Sequence, residues 1–306
     1  MGPWFHGGWS GGTGGWYGDA AEIFCDIKTD KATSTWYQEN VEFQFFQKYL
    51  NNKTEPDLPE AMIFETGSNQ WRRYETWPPK NIVQKSLYFH ENGILSFTSP
   101  EEAASFDEYI SDPLKPVPYD DGIHLQRTRE YMINDQRFAS RRPDVMVYQT
   151  AELTVDITLA GPVIASLVVS TTGTDADYVV KLIDVYPDNY PNPEPNPGNI
   201  QLGGFQMLVR AEIMRGKFRN SYENPEPFVP GKATQVKYNI PDVAHCFRKG
   251  HRIMIQVQNS WFPLVDRNPQ KFTDIYHADE KDFQKATNRI YHDKNRASRV
   301  LIDVLQ

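Results

Sequence analysis

The sequence is poor in cysteine and in clustered basic residues. Cys25 and Cys246 are the two cysteines among 306 residues, too few for a disulfide framework or a cysteine-rich zinc site. Lys and Arg number 32 against 40 Asp and Glu, and their scatter excludes the basic surface that binds nucleic-acid phosphates. No apolar run approaches the ~20 residues that span a bilayer. We therefore expect no nucleic-acid and no membrane partner.

The sequence leaves two alternatives for the cellular compartment of the protein. The first residues contain no apolar signal segment, so the chain is expected to be cytoplasmic as written. If a signal peptide precedes Met1 in a longer precursor, the expectation changes to a periplasmic or secreted protein.

Aromatic residues are plentiful, with 17 Phe, 16 Tyr and 7 Trp, and they supply material for a packed core. The first twenty residues are rich in glycine and predict a loop. Residues 35–52 predict an amphipathic helix, with Thr35 and Gln38 spaced as a capping box and Asn51-Asn52 as the stop. Its apolar stripe contains Val41, Phe45, Phe46, Tyr49 and Leu50. Residues 61–65 (AMIFE) predict a buried strand of a mixed sheet.

From about Tyr109 onward, apolar and polar residues alternate in short segments separated by Pro, Gly and Asn, which is typical of β-strands. The clearest alternation is at residues 153–159. Further strands are predicted at residues 162–170, 178–186, 236–240, 251–257 and 300–304. Residues 187–197 contain five prolines and predict an exposed loop. Many strands without a long helix between them indicate a β-sandwich or jelly roll.

Two residues near the N-terminus have types that serve in nucleophilic catalysis. Ser10 lies in GWSGG, which matches the G-x-S-x-G nucleophile elbow. An elbow needs a strand before it and a helix after it, whereas Ser10 is surrounded by loop residues, so the pattern argues against this role. His6, held between bulky aromatic residues and glycines, is the better candidate because such a loop can present an imidazole as a general base.

Several other polar groups invite a metal-site interpretation that the spacing does not support. Asp175, Asp177 and Asp184 lack the spacing of a calcium loop, so turn chemistry at a strand entrance is preferred. A second set of potential metal ligands lies near the C-terminus, but nothing in the sequence brings its members together. We expect them to be solvated loop residues: His277, Asp279, Glu280, His292 and Asp293. Trp261 and Phe262 are expected to pack between domains. No metal and no cofactor is predicted.

The sequence resembles a known family along nearly its whole length. GPWFHGGW (residues 2–9) resembles the catalytic-histidine loop of the CocE/NonD hydrolases, which include α-amino acid ester hydrolases, glutaryl-7-aminocephalosporanic acid acylases, cocaine esterase and X-Pro dipeptidyl-peptidases. The resemblance continues in family order through FETGSNQWRRYETWPP, SDPLKPVPY, RRPDVMVYQT, TGTDADYVVKLIDVYPD, GFQMLVRAEIMRGKFR and GHRIMIQVQNSWFPLVDRNPQ. Together these segments are most similar to the α-amino acid ester hydrolase branch.

This resemblance implies a fold, a domain division and a role for one residue. The fold class is mainly β: a C-terminal jelly-roll β-sandwich of galactose-binding-like type, preceded by the last part of an α/β-hydrolase domain. Residues 1–80 are the expected α/β remnant, 81–108 a connecting segment and 109–306 the sandwich. His6 is the implied catalytic histidine, acting through an acyl-enzyme on α-amino acid esters, β-lactam acyl amides or X-Pro peptides.

The triad order of α/β-hydrolases places the serine and the acid before the histidine. Five residues precede His6, and none is Ser, Asp or Glu. We therefore expect the chain to lack its nucleophile and acid, to be inactive alone, and to need a missing N-terminal α/β-hydrolase portion. Without that portion, exposed apolar faces predict aggregation or a homo-oligomer. The alternatives are a non-catalytic carbohydrate-binding or interaction module, or a site completed by Ser10 or by a serine from another subunit.

Overall fold

The computed structural model describes residues 1–4, 8–10, 32–53, 57–128, 130–194, 196 and 199–306. Strands predominate among them, which confirms the mainly β fold class. The named strands pair antiparallel and form sheets of two, eight and four strands. None of the helices in these residues has the length and apolar character needed to cross a membrane.

The predicted N-terminal helix is present as α1 (Thr33–Tyr37), a π-helical turn (Gln38–Glu42) and α2 (Phe43–Asn51). The predicted capping box is wrong, because the helix begins before Thr35 and Ala32 at its N-cap makes no side-chain bond. The predicted stop is confirmed: Asn52 adopts a left-handed conformation with φ of 53°.

A two-stranded hairpin follows this helix. It consists of β1 (Ala61–Glu65) and β2 (Gln70–Tyr74), paired antiparallel from Ala61 opposite Tyr74 to Glu65 opposite Gln70. The strand at 61–65 was predicted correctly, but the mixed sheet was not, since β1 pairs with β2 in a separate hairpin.

The remaining strands build the two larger sheets. In chain order they are β3 (Ile82–Phe89), β4 (Leu95–Ser96), β5 (Phe106–Ser111), β6 (Met146–Gln149), β7 (Ile157–Thr171), β8 (Asp177–Val185), β9 (Gln206–Arg215), β10 (Thr234–Phe247), β11 (Arg252–Gln258), β12 (Ala286–Asp293), β13 (Arg296–Ala297) and β14 (Arg299–Leu305). A further helix, α3, covers Arg137–Ser140. Short 3-10 helices lie at Gly8–Ser10, Glu91–Gly93, Glu130–Met132, Gly216–Phe218, Ile275–His277 and Glu280–Asp282.

The long strand β7 organises the eight-stranded sheet. It pairs with β10 along one edge and with β12 and β14 along the other, while β3 and β4 continue beyond β14 and β5 pairs with β12. The four-stranded sheet has the order β6-β11-β8-β9. The main core joins apolar side chains of both sheets, such as Leu167 of β7, Leu182 of β8 and Ile255 of β11, all fully buried. Burial of each such side chain stabilises the folded state by roughly 1.5–3 kcal/mol.

One predicted strand is misplaced. Regular β7 begins at Ile157, and residues 151–156 are irregular. The backbone at Leu153 instead pairs with another loop, donating to the His251 carbonyl and accepting from Gly250, both at 2.8 Å. Val155, an apolar residue of this alternation, is exposed. The other predicted strands are confirmed by β7, β8, β10, β11 and β14.

A second apolar layer covers the outer face of the four-stranded sheet. Val179 and Ile183 of β8 pack there with Trp261 and Tyr119. The backbone of Phe262 is bonded to residues 117 and 119, at 3.0 and 2.9 Å. The Trp261 side chain is buried in this layer, so the expected inter-domain packing is wrong for Trp261. The Phe262 side chain is exposed, and its packing against another domain stays a prediction.

Candidate functional site

The predicted catalytic histidine, His6, lies outside the described residues, but the segment that leads to it is described. Met1 is aligned beside strand β1: its amino group donates to the Met62 carbonyl, and its own carbonyl accepts the Phe64 N–H at 2.9 Å. The first residues therefore extend the edge of the β1-β2 hairpin.

An aromatic cluster holds this segment. The ring of Trp4 lies 5.3 Å from Tyr37 and 5.9 Å from Trp71 of β2, between ring centroids. Trp71 in turn stacks on Trp36 of α1 at 4.3 Å and meets Phe64 of β1 edge-on at 5.4 Å. Each such aromatic pair stabilises the folded state by ≈ 0.5–1.5 kcal/mol, in addition to the free energy gained from burying apolar area. Helix α1 and the hairpin thus jointly fix Trp4.

The residues on the other side of His6 form a 3-10 turn, Gly8–Ser10. The carbonyl of Trp9 accepts a hydrogen bond of 3.0 Å from the Gln38 side chain, which ties the turn to the π-helical segment. Ser10 is exposed, and the described residues before it contain no strand. A nucleophile elbow requires a preceding strand, so the surroundings of Ser10 do not favour it as a nucleophile.

A buried polar network lies where the hairpin meets the sandwich. Asp184 of β8 accepts hydrogen bonds from His245 Nε2 at 3.1 Å and from His251 Nδ1 at 2.8 Å. The other ring nitrogen of His245, Nδ1, lies 2.8 Å from the hydroxyl of Thr66. The network runs from the four-stranded sheet, through β10, to the turn of the β1-β2 hairpin.

The carboxyl of Asp184 remains ionised in this setting. Burial by itself raises its pKa, but hydrogen bonds and positive charge from His245 and His251 outweigh burial, so the pKa lies below its ordinary value. Sequence reasoning named Asp184 and missed His245, His251 and Thr66. One feature of the sequence could have identified the network. His245 alternates with the apolar Val243 and Phe247 in β10, which indicates a histidine on the buried face of the strand.

The acidic residues weighed as calcium ligands bind protein groups. Asp177 accepts from Arg215 at 3.1–3.3 Å and from Asn268 at 2.7 Å, and Asp175 accepts the backbone N–H of Lys217 at 3.0 Å. Burial raises the pKa of Asp175 to about 6. In the described part of the chain, no group of three or more His, Cys, Asp or Glu could hold a metal ion.

The residues expected to be solvated divide into two groups. His277 is exposed and bonds to Asp274, and Asp279 and Glu280 are exposed as well. For His292 and Asp293 the expectation is wrong: both lie in β12 and are fully buried. A strand position inside the sheet determines their burial, with His292 bonded to Asp107 at 3.1 Å and Asp293 bonded to Arg296 at 2.9 Å.

Comparison with known proteins places most of the chain in one family. A family model described as the X-Pro dipeptidyl-peptidase C-terminal non-catalytic domain matches residues 52–301. Cocaine esterase of Rhodococcus sp. (strain MB1 Bresler) is 28% identical over 272 residues, covering 86% of this chain and 45% of that protein.

Two solved structures match almost the entire chain. An aminopeptidase from the marine sediment archaeon Thaumarchaeota archaeon matches with a TM-score of 0.90 and 37% identity, over 99% of this chain and 49% of that chain. An α-amino acid ester hydrolase matches with a TM-score of 0.88 and 34% identity, over the same shares. These findings confirm the resemblance read from the sequence. The chain spans about half the length of the relatives it matches.

Proposed function

Because the chain belongs to the X-Pro dipeptidyl-peptidase C-terminal domain family, we propose that it is the C-terminal part of a serine hydrolase that cleaves esters or amides through an acyl-enzyme. The observation that carries this proposal is the match of 99% of the chain to half of an α-amino acid ester hydrolase. The candidate substrates are α-amino acid esters, β-lactam acyl amides and X-Pro peptides.

In this proposal the chain contributes His6 to a triad whose serine and acid belong to the α/β-hydrolase half. His6 takes the proton of the serine hydroxyl during attack and later gives it to the leaving alkoxide or amine. The loop composition supports this role, since glycines follow the histidine and the bulky Trp4 and Phe5 precede it, and such a loop can present an imidazole as a general base.

An exposed apolar helix face supports the existence of a covering partner. Large side chains of α2 project into solvent, with exposed fractions from 47% to 74%: Phe43, Phe45, Phe46, Tyr49 and Leu50. Apolar patches of this kind mark interaction surfaces. We propose that the α/β-hydrolase half covers this face.

We expect the chain alone to self-associate through this face. Replacing Phe46 and Leu50 together with Gln should weaken self-association by at least about thirtyfold, because the two residues together lose apolar burial worth more than about 2 kcal/mol. Sedimentation velocity across a concentration series measures the change. Tyr222→Gln, which alters an exposed aromatic residue in a loop, is the control. A monomeric wild-type chain would contradict the expectation.

A second candidate is a non-catalytic binding module, which the description of the family as non-catalytic favours. Sandwiches of this class often bind carbohydrate. Binding of a glycan by the chain, without any contribution to hydrolysis, would support this alternative.

The test is labelling with a fluorophosphonate, which reacts with activated serines. The chain alone should give no adduct, including at Ser10. A chimera in which this chain replaces the matched half of the α-amino acid ester hydrolase should be labelled at the serine of the other half and should hydrolyse an amino acid ester. An adduct on Ser10 of the isolated chain, located by mass spectrometry, would instead show a self-contained site.

A further inference from the structure

The turn of the β1-β2 hairpin is fitted closely to the edge of β10. Thr66 donates its N–H to the Ala244 carbonyl at 3.1 Å and accepts the Cys246 N–H at 2.8 Å. Gly67 follows with φ of +82°, and a Cβ at this position would lie 2.0 Å from the Cys246 carbonyl oxygen. Only glycine allows this approach, so the sequence Thr66-Gly67 docks the hairpin at one place on the sandwich.

A side-chain hydrogen bond reinforces the same contact from within. His245 donates Nε2–H to Asp184 at 3.1 Å, and its Nδ1 forms a hydrogen bond of 2.8 Å with the hydroxyl of Thr66, whose oxygen also lies 3.3 Å from the Ala244 carbonyl oxygen. His245 is completely buried, and Asp184 nearly so. The carboxylate therefore fixes which nitrogen faces the hairpin, as a third group orients the histidine in a hydrolase triad.

This hydroxyl, imidazole and carboxylate resemble a nucleophile, base and acid in order, but their setting indicates another role. Both backbone polar groups of Thr66 are bonded to β10, and its partner imidazole is inaccessible to solvent. The arrangement is suited to holding the hairpin in place.

The hairpin in turn carries the segment that precedes His6. Phe64 of β1 bonds to the backbone of Met1, and Trp71 of β2 packs against Trp4. We propose that Thr66, through its hydrogen bond to the His245-Asp184 pair, is a positioning residue that sets the place of Met1 to Trp4 and thereby of His6. The effect on His6 rests on the function proposed above; the effect on Met1 to Trp4 does not.

Amide hydrogen exchange on the full chain tests the structural part. Thr66→Val keeps the shape of the side chain and removes its hydroxyl, whereas Thr66→Ser retains the hydroxyl. Thr66→Val should accelerate exchange at the Trp4 and Phe64 amides by about tenfold, the effect of losing one buried hydrogen bond, and Thr66→Ser should restore slow exchange. The amides of Leu167 and Leu182 in the two sheets should change by less than about twofold. Equal acceleration at all four amides, or none, would overturn the proposal.

The catalytic part is tested in the chimera. Thr66→Val should lower kcat by about tenfold, with KM changed by less than about twofold, because the base is displaced while substrate contacts in the other half remain. Thr66→Ser should recover kcat. Unchanged kcat beside accelerated exchange would overturn the link to His6. A wild-type chimera without activity would instead overturn the proposed function, and the exchange result would still decide the role of Thr66.

Discussion

Replacing His6 with alanine in the chimera is expected to lower kcat for ester hydrolysis by at least about 10⁴-fold. In serine hydrolases whose triads have been dissected, removal of the histidine costs about as much as removal of the whole triad, ~10⁶-fold in kcat, because the serine hydroxyl is left without a base. Residual hydrolysis would come from the oxyanion hole and substrate binding in the other half. Stopped-flow or steady-state assays with an activated ester measure the loss.

The variants that accompany this experiment separate chemistry from folding. His277→Ala removes an exposed histidine that bonds to Asp274 in a surface turn, and should leave kcat unchanged. Ser10→Ala tests the neighbouring serine and should also be silent. If His6→Ala retained more than about a tenth of the wild-type kcat, another group would be the base and the assignment of His6 would fail.

The regular strands of the sandwich were predictable because burial imposes a period of two on them. In β14, Val300, Ile302 and Val304 occupy alternate inward positions, and that pattern is visible in the sequence. The same rule failed at residues 153–156, which precede regular β7. The backbone of Leu153 is engaged by His251 and Gly250, nearly a hundred residues away, and the alternation of side chains contains no information on such a partner.

The polar network was beyond sequence reasoning for a similar reason. Thr66 and His245 are 179 positions apart, and their contact depends on a hairpin turn meeting a strand edge. The buried pair His292 and Asp293 was misjudged because polar residues near a chain end resemble a solvated loop, whereas β12 lies inside the sheet. Burial of polar groups is determined by topology, and topology was known only from the family resemblance.

Lys181 is the clearest remaining conflict between residue type and position. It lies in the middle of β8 and is fully buried between Val179 and Ile183. Its amine donates to the Gln136 side chain at 2.9 Å and lies 5.6 and 5.7 Å from the ring centroids of Phe138 and Trp261. Burial lowers the pKa of Lys181 to about 7, because desolvation disfavours the ammonium form.

This pKa makes the stability of the chain depend on pH. Between about pH 7 and the ordinary lysine pKa near 10.4, the unfolded chain binds a proton at Lys181 that the folded chain does not, so the free energy of unfolding rises with pH. Across this pH range the free energy of unfolding rises by about 5 kcal/mol in total, at roughly 1.4 kcal/mol per pH unit. Below about pH 7 both states are protonated and the penalty is fully present.

We therefore expect the wild type to gain about 2 kcal/mol relative to Lys181→Met between pH 7 and pH 9. Urea unfolding of both proteins at these two pH values gives the difference, in which the titration of other groups cancels. Several buried tyrosines, including Tyr178 and Tyr238, have raised pKa values and would lower stability at still higher pH, which is why the comparison ends at pH 9. Lys237→Met, the same change at an exposed position of β10, should show no such dependence on pH. Parallel curves for the wild type and Lys181→Met would mean that the buried amine stays protonated, and the layer formed by Phe138 and Trp261 would then have to stabilise a cation.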